Sequence, residues 1–342
     1  MAKARGLAAK LDRLRSLRDE PVSPEMIAEL RKFLDDASNL VVAEAAAAIG
    51  AKVLPELAAD LVVAFERLMI DPEDSDKYCR AKIAIAEALN KLEYSQPEVF
   101  QRGINHVQDP IFDRPGQDAA GALRAHCAFG LARVEHVHAV LPLTDLLADS
   151  DNTARAGTAR ALGATGSRAA VALLRFKAKL GDTEAQVVGE CLSSLLMLDA
   201  AESLRFVARF LQNGSEGAQE AAIFALAESR RAEALTLLKD FWPQTPHGLQ
   251  EALLLAIAMF RSQAALDFLL GIVRTGGRLS ACAALSALKI HRHDGKVREL
   301  IAAAVSGNAD VRVRKAFETK FPALVRHEDY LQQQRDSTNL PS

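Results

Sequence analysis

The side chains best equipped for chemistry in this chain are its eight histidines and four cysteines, and their spacing gives them little to do. His136 with His138, and His291 with His293, each stand one residue apart in polar turns, with no third ligand placed nearby. A zinc site needs three or four ligands converging on one point, so solvated turn histidines are expected. Cys79, Cys127, Cys191 and Cys282 form no CxxC pair and fall inside helical patterns, which fits reduced, half-buried thiols in a reducing cytosol. No GxGxxG follows a strand, and no GxxxxGKS/T, HExxH or GxSxG occurs. No catalytic residue, metal or cofactor is therefore assigned.

What must position any functional group here is helix. Of 342 residues, 49% are hydrophobic but only 5% aromatic, and Ala and Leu dominate. Alanine is the strongest helix former, and small residues let helices approach closely. Aliphatic residues at Ile49, Leu89, Leu131, Leu162, Leu195, Leu226, Ile257 and Leu288 recur at spacings of 40, 42, 31, 33, 31, 31 and 31. Such a period predicts a solenoid. Three residues before each anchor stands an apolar residue, from Ala46 and Ala86 to Leu254 and Leu285. Eight before, the column is again apolar except at Ser280. Thirteen before stand Asp36, Asp76, Asp118, Asp149, Asp182, Asn213, Gln244 and Thr275, all polar and suited to a turn ahead of a helix. A second amphipathic run lies between anchors, as in residues 169–180, 203–212 and 265–273. Each unit is thus a helical hairpin too small to be stable without neighbours.

The run Asp149–Gly166, "DSDNTARAGTARALGATG", resembles the HEAT repeat in the short form of bacterial phycobilisome-lyase-type HEAT-like proteins. Residues 122–134 and 218–229 carry fainter copies, and the likeness spans roughly 22 to 320. It implies an all-α, HEAT-like α-solenoid of about nine stacked hairpins. It also implies a ladder of turn aspartate and second-helix arginine, matched here by Asp118 with Arg124 and Asp149 with Arg155. Lys82 substitutes, while Val42, Val188, Gln219, Gln250 and Ala281 depart from it, which confines the ladder to the middle of the chain. HEAT arrays serve mostly as scaffolds; phycobilisome-lyase relatives add the alternative of an accessory lyase or chaperone-like factor for a pigment- or cofactor-carrying protein. Deoxyhypusine hydroxylases, also HEAT-like, use paired His-Glu motifs at iron. Here the one such dipeptide, His327–Glu328, lies outside the array, so that chemistry is not expected.

In HEAT arrays the second helix of each unit lines the concave face. Positions two, five and six before the anchor then give a groove of small, weakly polar residues. Arg124, His126, Phe129, Arg155 and Arg160 stand in its middle and Glu190, Glu220, Phe224 and Glu251 in its later half. Phosphate binding wants a continuous basic track, and the net charge is −2, so nucleic acid is an improbable partner. A mixed, partly apolar groove suits a protein segment such as an amphipathic helix. The alternative is that the aromatics pack on the next hairpin and Arg155 spends its charge on the ladder.

Two intervals are about ten residues longer than the rest. The second holds "VQDPIFDRPGQD" (107–118), whose prolines and glycine break the helix. There Phe112 and Arg114 either anchor a partner or fold back over the junction. Residues 1–20 form a basic amphipathic helix with Lys3, Arg5, Lys10, Arg13, Arg15 and Arg18. It reads as a terminal cap, or alternatively as a surface for RNA, anionic lipid or an acidic protein. Residues 22–326 form the array, and 327–342 a polar tail. No run of 18 apolar residues exists. The sequence thus points to a cytoplasmic, non-enzymatic scaffold binding a protein of unknown identity through its concave face and the 107–118 loop.

Overall fold

A computed structural model describes residues 2–109 and 118–322. Phe112 and Arg114, the middle of the 107–118 loop, and the 327–342 tail lie outside the described residues. Every described secondary-structure element is helical, and none is long and apolar enough to cross a membrane. By internal packing the chain divides into two units, 1–203 and 204–342, a boundary with no mark in the sequence pattern.

The first unit opens with α1 (Ala2–Leu17) and continues as hairpins. These are α2 (Pro24–Leu34) with α3 (Asn39–Lys52), and α4 (Ala58–Leu68) with the one-turn α5 (Pro72–Ser75) and α6 (Arg80–Lys91). Then come α7 (Glu98–Ile104) with α8 (Gly121–Glu135), α9 (Val140–Leu146) with α10 (Asn152–Ala164), and α11 (Arg168–Leu180) with the start of α12 (Ala185–Asn213). Helix α12 is broken at Asp199, whose φ of −154° and ψ of 84° are not helical. The second unit begins within its later part and holds α13 (Glu216–Glu228), α14 (Ala232–Phe241), α15 (Gln250–Met259), α16 (Gln263–Thr275), α17 (Arg278–Ala287), α18 (Gly295–Ser306) and α19 (Val311–Lys320). Within each unit the second helices stack in series: α3, α6, α8 and α10 in the first, α13, α15, α17 and α19 in the second. Each unit is a stack of helical hairpins, the HEAT-like solenoid architecture.

The repeat columns explain the stack. All eight anchors are fully buried, and so is the column three residues before them. Offsets of three and eight fall on one helical face, so the two columns form one seam facing the neighbouring hairpins. Hydroxyl and carboxylate caps start the helices. Ser23 accepts from the Met26 N–H at 3.2 Å, Asp151 from Ala154 at 2.9 Å, Ser167 from Ala169 at 3.2 Å and Ser262 from Ala265 at 3.3 Å.

The polar column is a repeated turn. Asp36, Asp118, Asp149 and Asp182 each accept from the N–H two residues on, at 2.9, 2.9, 2.8 and 3.0 Å. Asp76 is the exception: its carboxylate receives the N–H groups of Ala81 and Lys82, at 3.0 and 2.9 Å. Two consecutive residues in the left-handed region, Tyr78 (φ 60°) and Cys79 (φ 59°), lead from that turn into α6. In the second unit the column changes: Asn213 and Thr275 bond carbonyls of their own helices instead. The turn returns at Asn308, which accepts from the Asp310 N–H at 2.9 Å.

The N-terminal helix α1 packs on α3 with Leu14 and Leu17 fully buried. In this helix Lys10 is matched by Asp36 at 2.5 Å and Arg13 by Glu29 at 2.8 Å and Glu20 at 2.5 Å, and just past its end Arg18 is matched by Glu44 at 2.5 Å. Cys79, Cys127 and Cys191 are buried free thiols, and burial pushes Cys79 and Cys191 up to about 12 and Cys127 in the same direction.

Candidate functional site: a groove on the first unit

Two arrangements emerge from the second helices of the first unit, and they divide the expected site residues between them. One is a buried ladder. Arg124 donates through Nε and Nη2 to both oxygens of Asp149, at 2.8 and 2.7 Å, through Nη1 to the His106 carbonyl at 2.9 Å, and pairs with Asp118. Arg155 grips Asp182 in the same bidentate way, at 2.8 and 2.7 Å, and its Nη1 donates to the carbonyls of Asp149 and Ser150. Lys177 closes the row on Asp182 at 2.8 Å. Gln108 extends it in the other direction, joining Asp118 through its N–H and the Asp76 carbonyl through its side chain, at 3.0 and 2.8 Å. Beyond it lies the fully buried Lys82–Asp76 pair, 3.4 Å apart.

This corrects two expectations. Arg155 reaches the carboxylate of the following repeat, Asp182, where the sequence pairing gave it Asp149; the arginine is long enough to span the gap between stacked turns. Arg124 and Arg155 also do not face the groove, because their side chains are only 3% and 11% exposed. The ladder's electrostatics are those of satisfied pairs. Burial raises the Asp182 carboxyl, but hydrogen bonds from Arg155 and Lys177 outweigh it and hold the group well below the ordinary carboxylate range. Asp118 is lowered by the same balance, its N–H donors Gln108 and Ala120 acting with Arg124 against burial.

The other arrangement is a groove of about 460 Å³ over α6, α8 and α10. Its floor is Ala122, Ala125, Ala156 and Gly157. A Cβ on Gly157 would stand 2.9 Å from Ala125 Cα and closer still to its Cβ, so α8 and α10 meet backbone to backbone and leave a hollow. Phe129, 37% exposed, and the half-buried His126 rise from α8 into this hollow. One wall is α6, carrying Glu87, Asn90 and Lys91; the Glu87–Lys91 pair is 2.7 Å apart. Asn90 ties wall to floor, its Nδ2 donating to the His126 carbonyl at 2.8 Å. On the opposite rim Arg160 pairs with Glu190, with Nε to Oε2 at 3.1 Å, beside the exposed Thr153 and Gln186. Burial lowers the His126 imidazole, Glu87 opposes this, and Lys91 and Arg160 reinforce it, so the ring is held neutral at physiological pH. The hydrogen bond from Lys91 lowers Glu87 and keeps it ionised.

His126, Phe129, Arg160 and Glu190 thus come together at one groove. Glu220, Phe224 and Glu251 belong to the second unit, on α13 and α15, where the two glutamates are exposed and Phe224 is half-buried. Asn90 and Lys91 escape a reading confined to positions before the anchor. They stand one and two residues after Leu89, and continuing the minus-five, minus-two face by four residues reaches Lys91. Among the described residues no group of three or more His, Cys, Asp or Glu side chains could hold a metal ion.

No protein-family model matches the chain. No characterised protein matches it in sequence. Among solved structures, 23 chains match. One is the complex of CpcE and CpcF of phycocyanin lyase from Nostoc sp. PCC7120, similar over 78% of this chain and 94% of that one, at 18% identity and a TM-score of 0.39. Another is human deoxyhypusine hydroxylase in complex with glycerol, similar over 78% of this chain and 96% of that one, at 16% identity and a TM-score of 0.32.

Proposed function

We propose that the protein is a non-enzymatic, HEAT-type scaffold that docks a protein segment in the groove over α6, α8 and α10. The observation that carries this reading is the groove itself: a small-residue floor with an exposed aromatic, rimmed by two mutually neutralised ion pairs. An apolar floor under a polar rim is the composition of a protein-binding surface. A phosphate backbone would need unopposed cations in a row. On this face Lys91 stands against Glu87 and Arg160 against Glu190, and Lys10, Arg13 and Arg18 near the N-terminus are likewise matched by acids.

A photo-crosslinking side chain placed at Thr153 or at Gln186, both exposed at the rim, tests the reading in the native host. Polypeptide adducts are expected from both positions and not from Ala169, an exposed residue of α11. Arg160→Glu sets a second acid beside Glu190 and should reduce these adducts without altering the circular dichroism. Arg155→Glu is unsuitable as a companion, since it would press a carboxylate onto Asp182 inside the ladder. Adducts to nucleic acid or pigment, or no polypeptide adduct at all, would sink the reading.

A further inference from the structure

We infer that the groove's occupant is an α-helix of another protein, which seats one large uncharged side chain on the Ala122–Gly157 floor beside Phe129. The inference rests on the protein-binding reading above and narrows it.

Three observations select a helix with such a knob. First, every residue lining the groove lies on α6, α8, α10 or α12, whose main chains are bonded internally. An extended segment laid there would find no strand edge to pair with. Its own N–H and C=O groups would depend on the few polar side chains of the rim, such as Thr153 and Gln186, whereas a helix brings its main chain already satisfied. Second, the hollow exists because Gly157 and Ala125 allow α8 and α10 to touch. Above that floor the surface opens as a groove of about 460 Å³, with room for a knob from outside. Phe129 offers that knob an aromatic wall.

Third, the charges choose what surrounds the knob. Glu87 with Lys91 on one wall and Arg160 with Glu190 on the other leave no net charge for an ionic ligand to neutralise. A charged knob would lose hydration with no unopposed counter-charge to meet it. Partner residues of both signs on either side of an uncharged knob would complement the rims. The walls are also set before binding: Asn90 is bonded to the His126 carbonyl, and each rim pair holds its own geometry. Little ordering is therefore needed when a rigid helix arrives.

Fluorescein-labelled peptides on an Ala/Glu/Lys host of about 18 residues, long enough to be helical, carry Ala, Leu, Phe, Trp or Lys at the central position. They are titrated with the full chain by fluorescence anisotropy. The Leu, Phe and Trp peptides should bind at least about tenfold tighter than the Ala host, as expected for burying one such side chain. The Lys peptide should bind no better than the Ala host. Thr153→Trp, which fills the groove from its exposed rim, should erase the preference, and Gln186→Trp should do the same from α12. Equal binding by a Leu peptide whose helix is broken by prolines overturns the inference and leaves the protein-binding reading standing. Absence of any knob preference overturns it too. That result together with no crosslinked polypeptide removes both.

Discussion

Replacing Arg124 with methionine removes a buried charge while keeping most of its side-chain bulk. The guanidinium it deletes is 3% exposed, spans Asp149 with two bonds of 2.8 and 2.7 Å, pairs with Asp118 and caps the His106 carbonyl. After the change, two carboxylates that are 14% and 11% exposed lose the cation they share. Removing one partner of a buried pair costs about 3–5 kcal/mol. Asp118 keeps its N–H bonds from Gln108 and Ala120, and Asp149 keeps that from Asp151, so the low end, about 3 kcal/mol, is expected. Arg160→Met makes the same chemical change in a pair whose arginine is 59% exposed, where about 1 kcal/mol or less is at stake. The one tryptophan, Trp242, belongs to the second unit, so its fluorescence reports on the wrong one. Native-state hydrogen exchange of α8 and α10 amides is the better assay. A loss of about 3 kcal/mol should speed their slowest exchange roughly 150-fold. If Arg124→Met accelerates these amides no more than Arg160→Met does, the ladder does not hold the stack and the reasoning fails.

Two further outcomes follow from the same packing. Because the folded state depresses the Asp182 carboxyl, its stabilisation is complete above the ordinary aspartate value of about 3.9 and is lost as pH falls through the folded value. Asp182→Asn should therefore be less stable near neutrality and flatter below about pH 4 in urea unfolding; identical acid limbs would contradict the assignment. Gly157→Val pushes a side chain into Ala125 and should cost about 1–3 kcal/mol by overpacking, with faster exchange in α8 and α10. Gly271→Ala in α16 is the control: a Cβ there meets nothing within 4 Å, and the change should be neutral or add up to about 1 kcal/mol through helix propensity.

What the sequence determined by itself was the register of the repeat. The anchor column and the column three before it are both buried throughout, because a helical period of 3.6 residues is a local property and survives in the order of the amino acids. The turn aspartates were legible for the same reason: their bond to the N–H two residues on depends only on nearby chain. Tertiary structure alone decided which second-helix cations are buried. Arg124, Arg155 and Arg160 look alike in a string of letters and each meets a carboxylate 25, 27 or 30 residues away, yet the first two arginines are only 3% and 11% exposed and the third 59%, and packing between repeats sets that difference. Residues of the groove, His126, Phe129 and Arg160 among them, were legible from the same periodicity, but its hollow was not, since that appears only where the α8 and α10 backbones touch at Ala125 and Gly157. Local periodicity records which face a residue turns inward; what waits on the other side of that face is a matter of packing between repeats.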